Sequence, residues 1–371
     1  MSAADGVMVF IPTAVLVALA LANPAKGKTS AVAGLMSVAV AILGLMLVRA
    51  SLPDEMIWPN SEVMRRCRWL VKHLEGKPGW ESAPVVILTG SSATMFSLDP
   101  SRIERRLEEE GKPATVLPIC ISGATLCERR YMLQSFLQMV GADARRKLSG
   151  ANILLLGEVF DSYDQNPLYR MEKEAFSERL IQFLNAGNAW KAWQAYLWQR
   201  EMEPGLPLFL PASLLAQHAL LNALAVGALS DMQLGSGKKR KTESFFALEG
   251  KKGNFDYNQA LRSLENARPM PRDFSLPLPQ AKLGLEQMLE PLQSYPHRLG
   301  FYSLPMLEPH RTAYAAALRR SLPGSIFIGP PARSDLEAML AEDCWFDGVH
   351  PTSKGAALFS EWFAVQLAKT L

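Results

Sequence analysis

Strand-length apolar runs alternate with longer amphipathic segments along this 371-residue chain, and this alternation constrains its fold more than any other sequence feature. Runs that are apolar throughout are typical of strands in a parallel sheet with helices on both faces. Five such runs occur, at 83–90, 114–122, 151–158, 298–306 and 325–330. The pattern predicts an α/β fold with a parallel sheet, in which ligands bind beyond the carboxyl ends of the strands.

Helical patterns lie between and after these runs, at 99–111, 124–141 and 352–371. Residues 165–275 interrupt the alternation and are predicted to form a helical insertion. Its nearly uncharged stretch at 206–229 contains prolines and polar side chains, which argue against a further membrane-spanning helix. Two interpretations of the insertion stay open: a helical cap with a solvated loop, or a surface that meets the bilayer or a membrane partner.

Residues 1–50 contain two stretches without a charged residue, at 7–25 and 29–48. Each approaches the roughly 20 residues that cross a bilayer as a helix. The first is not typical of a signal peptide, because Asp5 precedes it and no basic residue does. The sequence predicts a transmembrane helical hairpin, with a single membrane helix as the alternative, followed by a juxtamembrane connector at 51–80.

The charges near these stretches support opposite orientations. Lys26 and Lys28 in the turn favour a cytoplasmic turn, with both ends outside. Four basic residues beyond the second stretch favour the reverse: Arg49, Arg65, Arg66 and Arg68. The net charge of only +3 gives no indication of nucleic-acid binding.

Small or polar residues follow the first three apolar runs, where a ligand would bind. Ser91 and Ser92 follow the first run, Gly123 follows the second and Glu158 ends the third. A serine there can present its hydroxyl to the crevice, and its backbone N–H can bind an oxyanion. A glycine allows backbone to approach a ligand closely. Each of these features is also ordinary in a turn between strand and helix.

Near the C-terminus, Asp347 and His350 have the spacing D-x-x-H, in a predicted loop directly before the last helix. A carboxylate at this spacing can hold the imidazole in one tautomer, so that the imidazole accepts a proton from a serine hydroxyl. The spacing alone is common, but its place after the last strand is where an α/β fold puts catalytic residues.

Together these motifs resemble the SGNH/GDSL hydrolase superfamily over roughly residues 83–160 and 295–371. The GSS at 90–92 matches the G-D-S block, and DGVHP at 347–351 matches the D-x-x-H-P block. The resemblance implies a flavodoxin-like three-layer α/β/α sandwich over 81–371.

The resemblance also implies the roles of individual residues. Ser92 would be the nucleophile, His350 its general base and Asp347 the group that stabilises the imidazolium. The oxyanion- and substrate-binding candidates are Gly123, Ser91 and Glu158. One block departs from the family, because G-x-N-D appears here as GEVFD at 157–161 without its asparagine. This departure disfavours a fast esterase and is less damaging to a slow or partner-assisted acyltransferase.

A membrane hairpin joined to such a domain resembles accessory proteins of polysaccharide O-acylation, which work with membrane-bound O-acyltransferases. The resemblance implies transfer of an acyl group, most simply acetyl, on an exported or cell-surface polysaccharide. It also implies a two-pass protein of the cell membrane, the inner membrane in a Gram-negative bacterium, with its SGNH-like domain on the extracytoplasmic or periplasmic side.

Two other functions stay open: a non-catalytic assembly subunit of such a complex, and a lipid esterase at the bilayer. No cofactor and no metal is expected, because no cluster of Cys and His has metal-ligand spacing. Four thiols are expected, although Cys120 and Cys127 are close enough in sequence to pair.

Overall fold

The computed structural model describes 54–58, 61–159, 248–266, 289–307 and 325–371, except residues 251, 330 and 332, together with single positions elsewhere. The chain divides into two compact units. One contains residues 1–65 and 168–240, and the other contains 66–167 and 241–371. In the first unit, the buried Asn222 side chain donates a hydrogen bond to the backbone carbonyl oxygen of Gln182 at 2.8 Å.

The second unit carries the sheet. The described helices are α1 Asp54–Ile57, α2 Glu62–Glu75, α3 Ser92–Ser97, α4 Pro100–Glu109, α5 Leu126–Met139, α6 Ala142–Leu148, α7 Tyr257–Glu265, α8 Arg333–Met339 and α9 Ser353–Ala368. The strands are β1 Val85–Gly90, β2 Thr115–Cys120, β3 Ile153–Glu158, β4 His297–Tyr302 and β5 Ile326–Ile328. Short 3₁₀ turns occupy Trp80–Ser82, Glu290–Leu292 and Glu342–Cys344.

The five strands form one all-parallel sheet in the order β2-β1-β3-β4-β5. An α/β fold with a parallel sheet is therefore confirmed. The strand order reverses between the neighbours β1 and β3. The chain runs from β1 to β2 on one side of this pair and from β3 to β4 on the other. Such a switch point opens a crevice at the carboxyl edge.

The three central strands are apolar because both of their faces are covered. Every residue of β1, β2 and β3 is buried. Val86 and Leu88 of β1 lie in one apolar cluster with Ile103 of α4 and with Phe359 and Phe363 of α9. Helix α5 packs against β1 and β2. Burial on both faces removes the alternation of polar and apolar residues, which is the pattern that the sequence displays.

The helix termini follow local capping chemistry. Asp99 accepts hydrogen bonds from the backbone N–H groups of Ser101 and Arg102 and so starts α4. Thr125 and Glu128 form a reciprocal capping box at the start of α5. Thr352 accepts a hydrogen bond from the N–H of Gly355 at the start of α9. Each cap fixes the residue at which its helix begins.

Among the residues that the structure describes, no helix combines the length and the apolar character needed to cross a bilayer. The predicted spans at 7–25 and 29–48 lie outside those residues except for Gly44. Most of the predicted insertion at 165–275 also lies outside them, whereas 248–266 is described apart from residue 251 and contains α7. The connector predicted at 51–80 contains α1 and α2.

Candidate active site

Strand β1 and helix α3 meet in a sharp turn that presents Ser92 at the carboxyl edge of the sheet. Ser91 is the N-cap of α3, and its hydroxyl accepts a hydrogen bond from the N–H of Ala93. Ser92 is the first residue of the helix. Its N–H group therefore has no acceptor within the helix, because the first N–H groups of any helix lack one.

The structure brings Ser92, His350 and Asp347 together although 258 residues separate the serine from the histidine. His350 Nε2 lies 2.8 Å from Ser92 Oγ. On the other side of the ring, Nδ1 lies 2.9 Å from Asp347 Oδ1 and 3.1 Å from Oδ2. All three distances allow hydrogen bonds. This order, carboxylate to Nδ1 and hydroxyl to Nε2, is the one that a serine nucleophile needs.

Asp347 is held as a charged carboxylate. Its partial burial acts to raise the pKa, but hydrogen bonds from the His350 ring and from the N–H groups of Val349 and His350 outweigh burial. The pKa of Asp347 is lowered to about 2. A charged acceptor favours a proton on Nδ1, and a proton on Nδ1 leaves Nε2 able to accept one from Ser92.

Two further side chains contact this pair. The ring of Phe96, from α3, meets the His350 ring edge to face with centroids 5.2 Å apart. Because Phe96 and Ser92 belong to the same short helix, this contact fixes the imidazole relative to the nucleophile. Lys252 Nζ lies 3.9 Å from Asp347 Oδ2 and is 56% exposed, so the pair is solvated and weak.

The three residues predicted to bind the oxyanion or substrate occupy different positions. Gly123 lies at the carboxyl end of β2, exposed and with φ at 60°, in the left-handed region that favours glycine. Ser91 and Glu158 contact each other instead: the N–H of Ser91 donates to Glu158 Oε2 at 2.5 Å, and the Ser91 hydroxyl donates to Oε1 at 3.0 Å. We therefore assign these two to the support of the turn and not to substrate contact.

Three residues of this support are missed by sequence reasoning: Thr94, Arg129 and Tyr302. Thr94 Oγ1 donates to Glu158 Oε2 at 2.8 Å and lies 2.7 Å from the Tyr302 hydroxyl. Arg129 Nη2 lies 3.8 Å from Glu158 Oε2, and both side chains are buried. One signal could have found them. A carboxylate at the end of a wholly apolar strand needs donors, because buried carboxylates are almost always paired.

Among the described residues, no group of three or more Cys, His, Asp or Glu side chains could hold a metal ion. Cys67, Cys120 and Cys344 are thiols, not disulfides, and the Cys127 side chain lies outside the described set.

Comparison of the chain with known protein families, with curated proteins and with solved structures gives no match.

Proposed function

We propose that this chain is a serine-dependent O-acyltransferase or esterase of the SGNH type. The observation that carries the proposal is the 2.8 Å distance between His350 Nε2 and Ser92 Oγ, with Asp347 on the opposite ring nitrogen. The strand order 2-1-3-4-5 supports it, because this is the order of flavodoxin-like sandwiches. Ser92 follows β1, which is one of the two strands at the switch point, where such folds bind ligands.

The reaction follows from these contacts. Ser92 Oγ attacks the acyl carbonyl carbon while His350 Nε2 takes the hydroxyl proton, and Asp347 stabilises the imidazolium. The carbonyl oxygen becomes an oxyanion and is received by the Ser92 N–H and by the turn of Gly123. Collapse expels the alkoxide, which takes the proton from Nε2 and leaves an acyl-serine. A glycan hydroxyl or water then attacks the acyl carbon while His350 Nε2 takes its proton. The bond between the acyl carbon and Ser92 Oγ breaks, and Nε2 returns the proton to Ser92 Oγ.

The resemblance supplies the substrate class. We infer an acyl group, most simply acetyl, on an exported or cell-surface polysaccharide. A membrane-bound O-acyltransferase would be the partner that delivers the acyl group. Anchoring by the predicted two-pass hairpin would keep the SGNH-like domain at the extracytoplasmic face of the cell membrane, where such a glycan passes.

Glu158 favours a second candidate, a non-catalytic assembly subunit of such a complex. It occupies the block in which the family has an oxyanion-binding asparagine, and its carboxylate is turned into the core. Loss of one oxyanion donor lowers kcat by about 10²- to 10³-fold in serine hydrolases. This candidate predicts a folded site without a reactive serine.

Fluorophosphonate labelling distinguishes the two candidates. The full-length chain in detergent should gain one probe adduct, and peptide mass spectrometry should place the adduct on Ser92. Labelling should vanish in Ser92→Ala and persist in Ser101→Ala, a matched change at an exposed serine of α4. A folded chain that stays unlabelled would exclude the acyl-serine mechanism and favour the assembly subunit.

If Ser92 is labelled, the next experiment compares substrates. Turnover of an acetylated oligosaccharide in preference to a short-chain phospholipid would support the glycan assignment. The reverse preference would support a lipid esterase at the bilayer.

A further inference from the structure

A buried carboxylate lies directly beneath the nucleophile. Glu158 is 1% exposed, and its two oxygens accept three hydrogen bonds from the turn that carries Ser92. The donors are the Ser91 N–H at 2.5 Å, the Ser91 hydroxyl at 3.0 Å and the Thr94 hydroxyl at 2.8 Å. The donors therefore precede and follow Ser92 in the chain, and one carboxylate holds the turn on both sides of the nucleophile.

Arg129 joins this carboxylate to the neighbouring turn. Its side chain is fully buried, and Nη2 lies 3.8 Å from Glu158 Oε2. Nη1 donates to the backbone carbonyl of Glu158 at 3.1 Å, and Nε donates to that of Ala124 at 3.3 Å. Ala124 follows Gly123, so one guanidinium connects the end of β3 with the turn predicted to bind the oxyanion.

The packing around the carboxylate leaves little freedom. A methyl group on Gly90 would lie 2.5 Å from Thr94 Cβ and 2.8 Å from Glu158 Oε2. On the far side, Tyr302 pairs in register with Glu158 across β4 and β3. Burial, together with the charge of Glu158, raises the pKa of Tyr302 well above its usual range. Its hydroxyl therefore stays protonated and can donate to Thr94 or to the Thr89 carbonyl.

A buried ion pair is weak support for stability, because desolvation opposes the attraction between the charges. Such a pair contributes to catalysis when it fixes the reacting groups, because a small displacement of a catalytic group lowers the rate steeply. An unpaired carboxylate beneath a developing oxyanion would also repel it, and Arg129 offsets that charge.

We propose that Glu158 is a positioning residue for acyl transfer, with Arg129 as its counter-ion, and that together they hold the turns of Ser92 and Gly123 in one arrangement. This inference rests on the proposed function. The family carries an oxyanion-binding asparagine in the block that corresponds to 157–161. In this chain Glu158, in the same block, supports the nucleophile turn instead.

Glu158→Gln tests the inference in the full-length chain. The amide nitrogen can take the place of Oε1 and donate to Ser91 Oγ, and the amide oxygen can take the place of Oε2 and accept from the Ser91 N–H and from Thr94. What is lost is the negative charge, which strengthens these hydrogen bonds and pairs with Arg129. The maximal rate of fluorophosphonate labelling at Ser92 should fall about 10- to 100-fold, as expected when hydrogen bonds to a charged group become weaker bonds to a neutral one. The probe concentration at half-maximal rate should not change, because the Glu158 and Arg129 side chains are buried and out of reach of a probe in solution.

Glu104→Gln is the matched control. Glu104 is partly buried, accepts the Val116 N–H at 2.7 Å and pairs with Lys77 at 3.1 Å. Its carboxylate supports the fold on the α4 side of the sheet, and the contacts that it makes do not include Ser92 or its turn. It should lower the melting temperature and leave labelling unchanged.

A second pair of variants covers the case in which Glu158→Gln fails to fold. Thr94→Val keeps the shape of the side chain and removes the donor to Glu158, and labelling should fall about 10-fold. Thr94→Ser restores the hydroxyl and should restore labelling to within about twofold. If Thr94→Ser labels normally and Thr94→Val does not, the slower labelling is caused by loss of the hydrogen bond and not by a change in side-chain shape.

The outcomes separate the two proposals. If the wild-type chain labels at Ser92 and the folded Glu158→Gln and Thr94→Val variants label equally fast, the positioning role is overturned. The acyl-serine function still stands in that case. Wild-type chain that does not label overturns the function and, with it, the positioning role. A shift of the pH midpoint in Thr94→Val, which changes no charge, would couple this support to the acid–base chemistry and also overturn the inference.

Discussion

The nucleophile turn at 90–94 and the histidine loop at 345–353 bring their residues to the same point by different means. Long-range side-chain contacts hold the turn, through the buried carboxylate of Glu158. Backbone hydrogen bonds hold the loop: the N–H of Phe346 donates to the His350 carbonyl at 3.0 Å, and the N–H of Leu307 donates to that of Gly348 at 3.0 Å.

Further backbone bonds reach the loop from another segment. The N–H of Lys252 donates to the Phe346 carbonyl at 2.9 Å, and the N–H of Ser353 donates to the Leu248 carbonyl at 2.8 Å. Side-chain substitutions leave backbone bonds in place. The comparison therefore teaches that catalysis should be more sensitive to changes of side-chain polarity in the turn than to such changes in the loop outside Asp347 and His350.

Asp347→Asn should have the largest effect, because Asp347 is the loop residue that does chemistry. Its Oδ1 can still accept from the Val349 and His350 N–H groups, but the new amide N–H faces His350 Nδ1. The ring must then carry its proton on Nε2 and cannot accept one from Ser92. The labelling rate of Ser92 should fall about 10³- to 10⁴-fold, as in other triads. A loss below 10-fold would contradict the assigned tautomer.

The same substitution changes the acid dependence of stability. The pKa of Asp347 is about 2 in the folded chain against an ordinary 3.8. A carboxyl whose pKa is lowered on folding stabilises the fold fully above its unfolded pKa, and this part is lost as pH falls through the folded pKa. Wild type should therefore lose stability between about pH 4 and 2 more steeply than Asp347→Asn, as measured by circular dichroism. Equal slopes would contradict the lowered pKa.

Gly90→Ala should have the next largest effect, because it acts on the nucleophile turn. The added methyl group displaces the Thr94 and Glu158 side chains, which it would otherwise overlap. Labelling should fall about 10- to 100-fold, and the free energy of unfolding should fall by about 1–3 kcal/mol, as for other overpacked sites. Gly150→Ala is the control, because the nearest atom to its methyl group lies 3.6 Å away. Equal labelling of the two variants would argue that the turn does not need its buried support.

Thr352→Val makes, in the loop, the same side-chain change that Thr94→Val makes in the turn. The Thr352 hydroxyl donates to the Asp343 carbonyl at 2.7 Å and caps α9. Its loss should lower the free energy of unfolding by about 1 kcal/mol. The labelling rate should fall no more than about threefold, because the loop keeps its backbone bonds. A loss as large as that of Thr94→Val would remove the distinction between the two regions.

The same distinction explains what the sequence could predict. The strands of the sheet lie close to the predicted apolar runs, for example β1 at Val85–Gly90 within 83–90, because burial on both faces leaves an unbroken apolar pattern. Asp347 and His350 were found because a triad carboxylate and imidazole here lie three residues apart.

The support of the nucleophile turn was not predictable in this way. Thr94 contacts Tyr302 across 208 residues, and Arg129 contacts Glu158 across 29. These contacts depend on which strands become neighbours and in which register, such as Glu158 opposite Tyr302. The place of Glu158 at a strand end marks it as a candidate. The direction of its side chain is not predictable, because nothing local indicates whether a carboxylate there turns to solvent or into the core.

Lys252→Gln should have the smallest effect and tests the solvated side of the loop. Lys252 Nζ lies 3.9 Å from Asp347 Oδ2 with 56% of its side chain exposed, so water and salt screen the interaction. The labelling rate should change less than about twofold, and any change should disappear near 1 M salt, where the screening length is about 3 Å. Lys354→Gln is the control, because Lys354 is equally exposed at 57% and pairs with Asp343. A tenfold loss confined to Lys252→Gln would mean that the loop also relies on a side-chain charge to hold Asp347.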